Sequence, residues 1–429
     1  MNLLLCSSAP LDRRLGYSKA LIELATAMDR LGWRCRLAGD NEICPNIRRY
    51  GPMRGSLAFS FALATFIRAY GSEFDVVDFD HAALPFGRSS FPASTLLVAR
   101  SALLNHQFER IRIPRFPGAR AWAGLIAKGP VRYGQMKLNV WRSTRTIHEA
   151  DLVNVNNDYD RAELVRRGFD PNRIVVVPLG IDEDRLASFA RASPSLTPVP
   201  RIAFVGTFDA RKGARDFPEI VHHITEAIPG CKFRLLGVRS RTESAVRQFF
   251  PRALRPNIEV ICNFEPEALP GLLSDCSLGI FPSYMEGFGF GVLEMLAASL
   301  PVLAYDAPGP PMMLPAQFLV PRGAARELAA KVVALLANPD RLSAARTWAR
   351  RRSRDFTWES AARTTSDVYS EFVKRLRDRV GRRPTAHADV PALQSRTTQA
   401  GIRTSATSSN SAAGPETPQR APELPDQPR

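Results

Sequence analysis

The sequence predicts an α/β protein of two Rossmann-like domains facing across a cleft, with a disordered carboxyl-terminal tail. Three observations carry this expectation. A strand–turn–helix–strand pattern opens at the amino terminus and restarts at Arg201, a Ser/Pro/Ala-rich stretch stands between the two, and the final stretch lacks aromatic residues.

The first half begins with the apolar run LLLC, a glycine-bearing turn, and KALIELATAMDRLGW, whose apolar residues recur at helical spacing. The strand RCRLAG follows at once. Further buried strands are expected at 75–79 (DVVDF), 95–99 (TLLVA), 151–155 (DLVNV) and 173–178 (RIVVVP), with helical patterns between most of them. This defines a domain at 1–182. A linker at 183–200 follows, centred on SFARASPSLTPVP. The second domain, 201–358, repeats the opening: IAFVG, the turn TFDARKG, the helix ARDFPEIVHHITEAI and the strand KFRLLG, then NIEVI, LGIFP and PVLAYD. A helix at 359–380 is expected to return to the first domain. The tail, 381–429, is dense in Pro, Ser, Thr and Ala and cannot bury enough surface to order itself.

Composition narrows the classes. Of 429 residues, 45% are hydrophobic and 23% charged, which fits a soluble enzyme rather than a membrane-embedded or disordered chain. Cys6, Cys35, Cys44, Cys231, Cys262 and Cys276 form no CxxC pair and no zinc-knuckle spacing, so a reduced compartment is expected. No basic region precedes the short first apolar run and no stretch is long enough to span a bilayer, so neither a secretory signal nor a membrane span is expected. A cytoplasmic protein, peripheral to the inner membrane face, is the resulting picture.

In a parallel α/β sheet ligands sit at the carboxyl ends of the strands. After IAFV, the turn Gly206-Thr207-Phe208-Asp209-Ala210-Arg211-Lys212-Gly213 sets two adjacent cations before a helix, an arrangement suited to a diphosphate. Taken alone, a solvated Lys-Gly turn is the stronger reading of this segment. The segment FPSYMEGFGFGVLEMLAASLPVLAYD is more specific. Glu286 precedes Gly287, Phe288, Gly289, Phe290 and Gly291, then a helix carrying Glu294. The glycines admit close backbone approach and the amides at the helix start can bind an anion. Glu294 stands about one turn into the helix, where it can accept from ribose hydroxyls, while Glu286 would meet a sugar.

These motifs resemble glycosyltransferase family 4, whose members have the GT-B fold, a strand-Gly turn ending in Lys-Gly, and two glutamates with seven residues between them. Here the pair is Glu286 and Glu294, and EADLVNVNNDYDRAELVRRGFDPNRIVVVPLGID is similar to the family's path into the donor domain. The resemblance covers the chain up to its tail. It implies a retaining transferase that moves a sugar from a nucleotide diphosphate to a saccharide or lipid-linked acceptor in cell-surface or exopolysaccharide synthesis. No cofactor and no metal are implied. On matching positions, Lys212 would pair with the diphosphate, Glu294 would hold the ribose, and Glu286 with the Gly287, Phe288 and Gly289 amides would hold the sugar. Gly206, Thr207, Arg211 and Phe290 complete the expected donor site, and Glu286, Lys212 and His106 the catalytic set. Gly16, His81 and Arg100 are expected on the acceptor side.

The sequence departs from the family in three places. Thr207 stands where an Arg is frequent, so Arg211 would supply the second cation. Ser299 replaces a usual Gly before LPV, read as a packing change. Many relatives have Arg-Ser-His-Gly after the fourth strand, but this chain has Arg100-Ser101-Ala102-Leu103-Leu104-Asn105-His106, so His106 would have to reach the site from further along the loop.

Charge adds one expectation. The net charge is +16, and only six Arg against four acidic residues lie from 381 onward, so the folded body is basic. Residues 110–145 hold nine cations and no acidic residue, interleaved with Phe116, Trp122, Leu125, Ile126, Tyr133 and Trp141. This suits docking on an anionic membrane surface, with a solvated basic face as the alternative. Nucleic acid is not an expected partner, because it leaves the Glu-Gly segment unexplained. A GT-B sugar-nucleotide epimerase and a degenerate transferase remain as alternatives. A dehydrogenase is disfavoured for lack of a GxGxxG after a strand.

Overall fold

The computed structural model describes residues 1–13, 16–45, 47, 52–114, 119–192, 199–238 and 242–381, with side chains left aside at 52, 53, 119–129, 380 and 381. The tail expectation and most of the basic stretch's first half therefore lie outside the described residues or side chains.

The first half runs β1 (Asn2–Cys6), α1 (Gly16–Arg30), β2 (Arg34–Ala38), α2 (Asp40–Ile43), α3 (Pro52–Tyr70), β3 (Val76–Asp80), β4 (Leu96–Arg100), α4 (Gln107–Arg110), α5 (Ala119–Glu149), β5 (Leu152–Val155), α6 (Asp158–Arg166) and β6 (Ile174–Val176). After α7 (Glu183–Arg191) the second half runs β7 (Arg201–Val205), α8 (Phe217–Ala227), β8 (Lys232–Leu236), α9 (Glu243–Gln248), β9 (Ile258–Ile261), α10 (Leu269–Leu273), β10 (Leu278–Phe281), α11 (Phe290–Ala297), β11 (Val302–Tyr305), β12 (Leu319–Val320), α12 (Ala325–Leu336), α13 (Pro339–Ser353) and α14 (Trp358–Gly381). Each half holds a six-stranded parallel sheet, ordered β2-β1-β3-β4-β5-β6 and β12-β11-β10-β7-β8-β9. Helices cover both faces of a parallel sheet, which is why β4, β5, β10 and β11 are buried at every position. This two-Rossmann architecture is GT-B.

The chain crosses between the halves twice, and the crossings are bonded to each other. Ile181 N–H donates to the Phe356 carbonyl at 3.1 Å, and Trp358 N–H returns to the Ile181 carbonyl at 3.4 Å. The second crossing leads into α14, which packs on α1 in the first half. There Trp33 Nε1 donates to Ser366 Oγ at 2.9 Å, and Trp33 meets Tyr369 edge to face. The stretch expected as a linker at 183–200 is helical in its first half. Asp182 accepts the Arg185 amide at 2.7 Å and caps α7, a local signal that outweighs the Ser/Pro/Ala composition downstream.

Two more expectations change. Ser299, read as a packing change, has φ +60, the left-handed conformation after α11 where glycine is unstrained. The basic stretch is also less charged than its sequence. Arg142 is buried and donates to Ser56 O and Ser60 Oγ, while Lys137 pairs with Glu109 and Arg145 with Glu149. These acidic partners lie outside 110–145 in all but the fold.

Candidate functional site

A cleft of about 400 Å³ opens where the carboxyl ends of both sheets converge, within the ~300–1,000 Å³ usual for small-ligand sites. The second half contributes three loops. The turn after β7 brings Gly206, Thr207, Arg211 and Lys212; Leu236 and Gly237 follow β8; and the loop after β10 brings Glu286 through Gly291, with Glu294 on α11. All ten expected donor-site residues therefore line one cavity.

The β7 turn is braced from within. Asp209 accepts from Thr207 Oγ1 at 2.6 Å and from the Lys212 amide at 3.1 Å, which turns the Lys212 side chain back over the Phe281 ring, 4.8 Å from its centre. Lys212 Nζ lies 2.7 Å from Glu286, and Arg211 Nη1 lies 3.1 Å from the same carboxylate and 2.9 Å from the Met285 carbonyl. The Ser283 hydroxyl also donates to Glu286. Burial alone would raise the Glu286 carboxyl, but Lys212 and Arg211 beside it hold it below its ordinary value. Burial lowers the Lys212 ammonium, opposed by Glu286 and reinforced by Arg211. Two cations face one carboxylate, so the formal charge of the trio is one positive.

Just beyond Glu286 the backbone amides find no acceptor among the described residues. Gly289 adopts φ +100 as the cap residue of α11 and offers no side chain to it. Among the described residues the amides of Gly287, Phe288, Gly289, Phe290 and Gly291 have no acceptor. Five successive donors beside a net positive charge form a site for an anion with several oxygens, strengthened by the helix start. One turn on, Glu294 is held by Arg185 Nη2 at 3.0 Å, and Arg185 also reaches the Pro266 carbonyl. Arg185 lay inside the expected linker; the cap that makes α7 helical is what aims it at Glu294.

The residues of the first half depart further from expectation. Gly16 lines the cleft at the start of α1. Arg100 also borders it, but its guanidinium is buried and spent on the fold: Nε and Nη2 donate to Asp78, and Nη2 to Tyr369 Oη at 2.9 Å, tying β4 to α14. His81 does not line the cleft. It is buried, with Nε2 accepting the Asn105 amide at 3.2 Å, which fixes the loop after β4 from below. His106 does not line it either. Its Nε2 meets Thr144 Oγ1 at 2.9 Å in the core, and burial together with nearby Arg167 lowers its pKa to about 4, so it is neutral. In their place the structure puts Tyr17 and Asn156 at the cleft, each with a buried side-chain oxygen lacking a protein partner. Nothing local marked either: both depend on β1, α1 and β5 meeting in three dimensions.

Among the described residues, the single grouping of three side chains able to hold a metal is His222, His223 and Glu226 on α8, which does not line the cleft. No helix among them is long and apolar enough to cross a membrane.

Comparison with known proteins agrees with this geometry. Residues 16–185 match the family model described as Glycosyltransferase Family 4, and residues 199–338 the one described as Glycosyl transferases group 1. The chain is 27% identical over 247 residues to a D-inositol 3-phosphate glycosyltransferase of Streptomyces bingchenggensis, covering 53% of this chain and 54% of that protein. It is 29% identical over 260 residues to one of Kineococcus radiotolerans, covering 54% and 59%. The matches thus span about half the length of these curated relatives. In fold it resembles a sucrose-phosphate synthase of Thermosynechococcus elongatus (TM-score 0.67, 18% identity, 87% of this chain and 100% of that one). It also resembles the Anabaena protein HepE solved with UDP and glucose (TM-score 0.60, 15% identity, 86% and 99%). With one family model on each Rossmann half and the motif residues gathered in the cleft between them, the chain belongs to the glycosyltransferases of GT-B fold.

Proposed function

We propose that the chain transfers a sugar from a nucleoside diphosphate to an acceptor hydroxyl, with retention of anomeric configuration. One observation carries this reading: five acceptorless amides, 287–291, lie beside the Lys212–Arg211–Glu286 trio in a cleft shared by both halves. A pyrophosphate matches that site in charge and in number of acceptor oxygens. The two curated relatives are named for transfer to an inositol phosphate and HepE was solved with UDP and glucose, which supports a nucleotide sugar as donor.

As the glycosidic bond breaks, negative charge grows on the departing phosphate oxygen. Lys212, Arg211 and the α11 amides are fixed in place before that happens, so they stabilise the transition state without reorganising. Glu294, oriented by Arg185, would take the ribose hydroxyls, and Glu286 the transferred sugar. Fixed cations and amides fill the role that a metal ion serves in other sugar transfers, so no metal is needed. A lipid-linked acceptor is supported by the exposed Val131, Arg132, Tyr133 and Trp141 on α5, suited to an anionic membrane surface. Vesicle flotation that ignores anionic lipid would remove that part.

The test of the whole is turnover. With UDP-, GDP- and ADP-linked hexoses, one nucleoside diphosphate should be released faster when acceptor saccharide is added, and NMR should show the α donor giving an α product. Conversion to a different sugar nucleotide without acceptor would indicate an epimerase, and no turnover of any donor would refute the proposal.

A further inference from the structure

The first turn of α6 belongs to the acceptor half, yet two of its side chains bond to the donor half. Asn157, fully buried, donates Nδ2 to the Gly287 carbonyl at 2.6 Å, and Tyr159 Oη donates to Asp306 Oδ1 at 2.5 Å. The Asn157 amide has only one usable orientation. Its Oδ1 accepts the Asp160 amide at 2.8 Å as the α6 cap, its Nδ2 also donates to Asp160 Oδ2 at 3.0 Å, and the other Asp160 oxygen is held by Gln107 Nε2 at 3.0 Å. Flipping the amide would break both Asp160 contacts together with the bond to Gly287.

Gly287 itself is pressed against the acceptor half. A Cβ there would lie 1.6 Å from the Ala102 carbonyl oxygen, so only glycine permits this approach. A trans peptide is planar, with its carbonyl and N–H pointing in opposite directions. Pinning the Gly287 carbonyl to Asn157 therefore aims the Phe288 N–H, the next of the acceptorless amides, away from the acceptor half.

We propose that Asn157, aimed by Asp160, is a positioning residue that latches the two halves together and sets the peptide planes of the donor loop. Tyr159 supplies a second, weaker tie through Asp306. This rests on the reading that the Glu286–Gly291 loop receives the donor, and it assigns a cause to the loop's shape that the donor half does not supply by itself. The latch makes donor affinity depend on the acceptor half, since the loop is complete only when the halves meet.

Asn157→Ser separates the latch from the helix cap: serine still caps α6 but is too short to reach Gly287. Asn157→Asp keeps the size and cap but has no hydrogen to donate, and it sets a second buried carboxylate against Asp160, so it should lose stability as well as donor affinity. Both should raise the donor KM about tenfold, as expected when a buried carbonyl loses its only side-chain donor. They should leave kcat less affected, with the unfolding temperature of Asn157→Ser changed little, and Tyr159→Phe should shift KM in the same direction by less. A role confined to stability would instead lower the unfolding temperature at unchanged KM, and that result overturns the proposal. Binding of the free nucleoside diphosphate to Lys212→Ala serves as the control. If that variant loses affinity while Asn157→Ser keeps it, the donor site stands and the latch falls; if neither loses affinity, the loop is not the donor site and both fall.

Discussion

Replacing Lys212 with Met tests the electrostatics of the site most sharply, because Met keeps the stem over the Phe281 ring and removes only the charge. In the native site Lys212, Arg211 and Glu286 sum to one positive charge; without Lys212, Arg211 and Glu286 cancel and the anion meets a neutral cluster. A unit charge about 4 Å from a phosphate oxygen is worth about 4 kcal/mol at an effective dielectric near 20. Lys212 is only 12% exposed, so solvent does little to weaken this. Part of that energy already binds the ground state and part appears only as the leaving oxygen gains charge. The expected loss in kcat/KM is therefore about 10²–10³, the range for deleting one preorganised stabilising group. Glu286 keeps Arg211 and Ser283, so the fold should survive while its carboxyl pKa rises. Initial rates of nucleoside diphosphate release over a donor series, with calorimetric affinity alongside, give both parameters. A kcat/KM within about threefold of the parent would refute the electrostatic account.

Glu294→Gln keeps the shape but removes the charge from the carboxylate that Arg185 orients, and should weaken nucleoside diphosphate binding about tenfold to a hundredfold; unchanged calorimetric affinity would remove the ribose assignment. His106→Gln should leave transfer intact, and a hundredfold loss of rate, on the scale of about 2.7 kcal/mol, would return this residue to the reaction centre. The same variant has a pH signature. Native His106 resists protonation down to about 4, whereas the unfolded chain takes the proton near 6.5, so the wild type loses stability as pH falls through that window. The variant's unfolding temperature should fall less steeply from pH 6.5 to 4. Ser299→Gly should stabilise the fold by about 1 kcal/mol by relieving its left-handed backbone, and a lower unfolding temperature would contradict that reading.

The parts of the site legible in the sequence were those whose chemistry is local. The β7 turn and the Glu286–Glu294 segment each follow a strand and lead toward a helix, so the rule that ligands gather at strand ends brings them together from sequence alone. Residues whose partners lie elsewhere in the chain are not legible in this way. Arg100 finds Asp78 on the next strand and Tyr369 on α14, and this buried triad turns a candidate ligand contact into a tie for the last helix. His81 and His106 were placed by proximity to a loop, but the side chains point beneath it. Asn157 carried only the signal of a helix cap; its second bond, to Gly287, appears once the two halves are side by side. β12 is two residues long, too short to show any period.

The most direct test of the central claim is where a nucleoside diphosphate binds in a crystal of this chain. Both phosphates should lie against Lys212 and the amides of Phe288 to Gly291, with the ribose hydroxyls on Glu294. A nucleotide found in any other cavity, with this cleft unchanged, would contradict it.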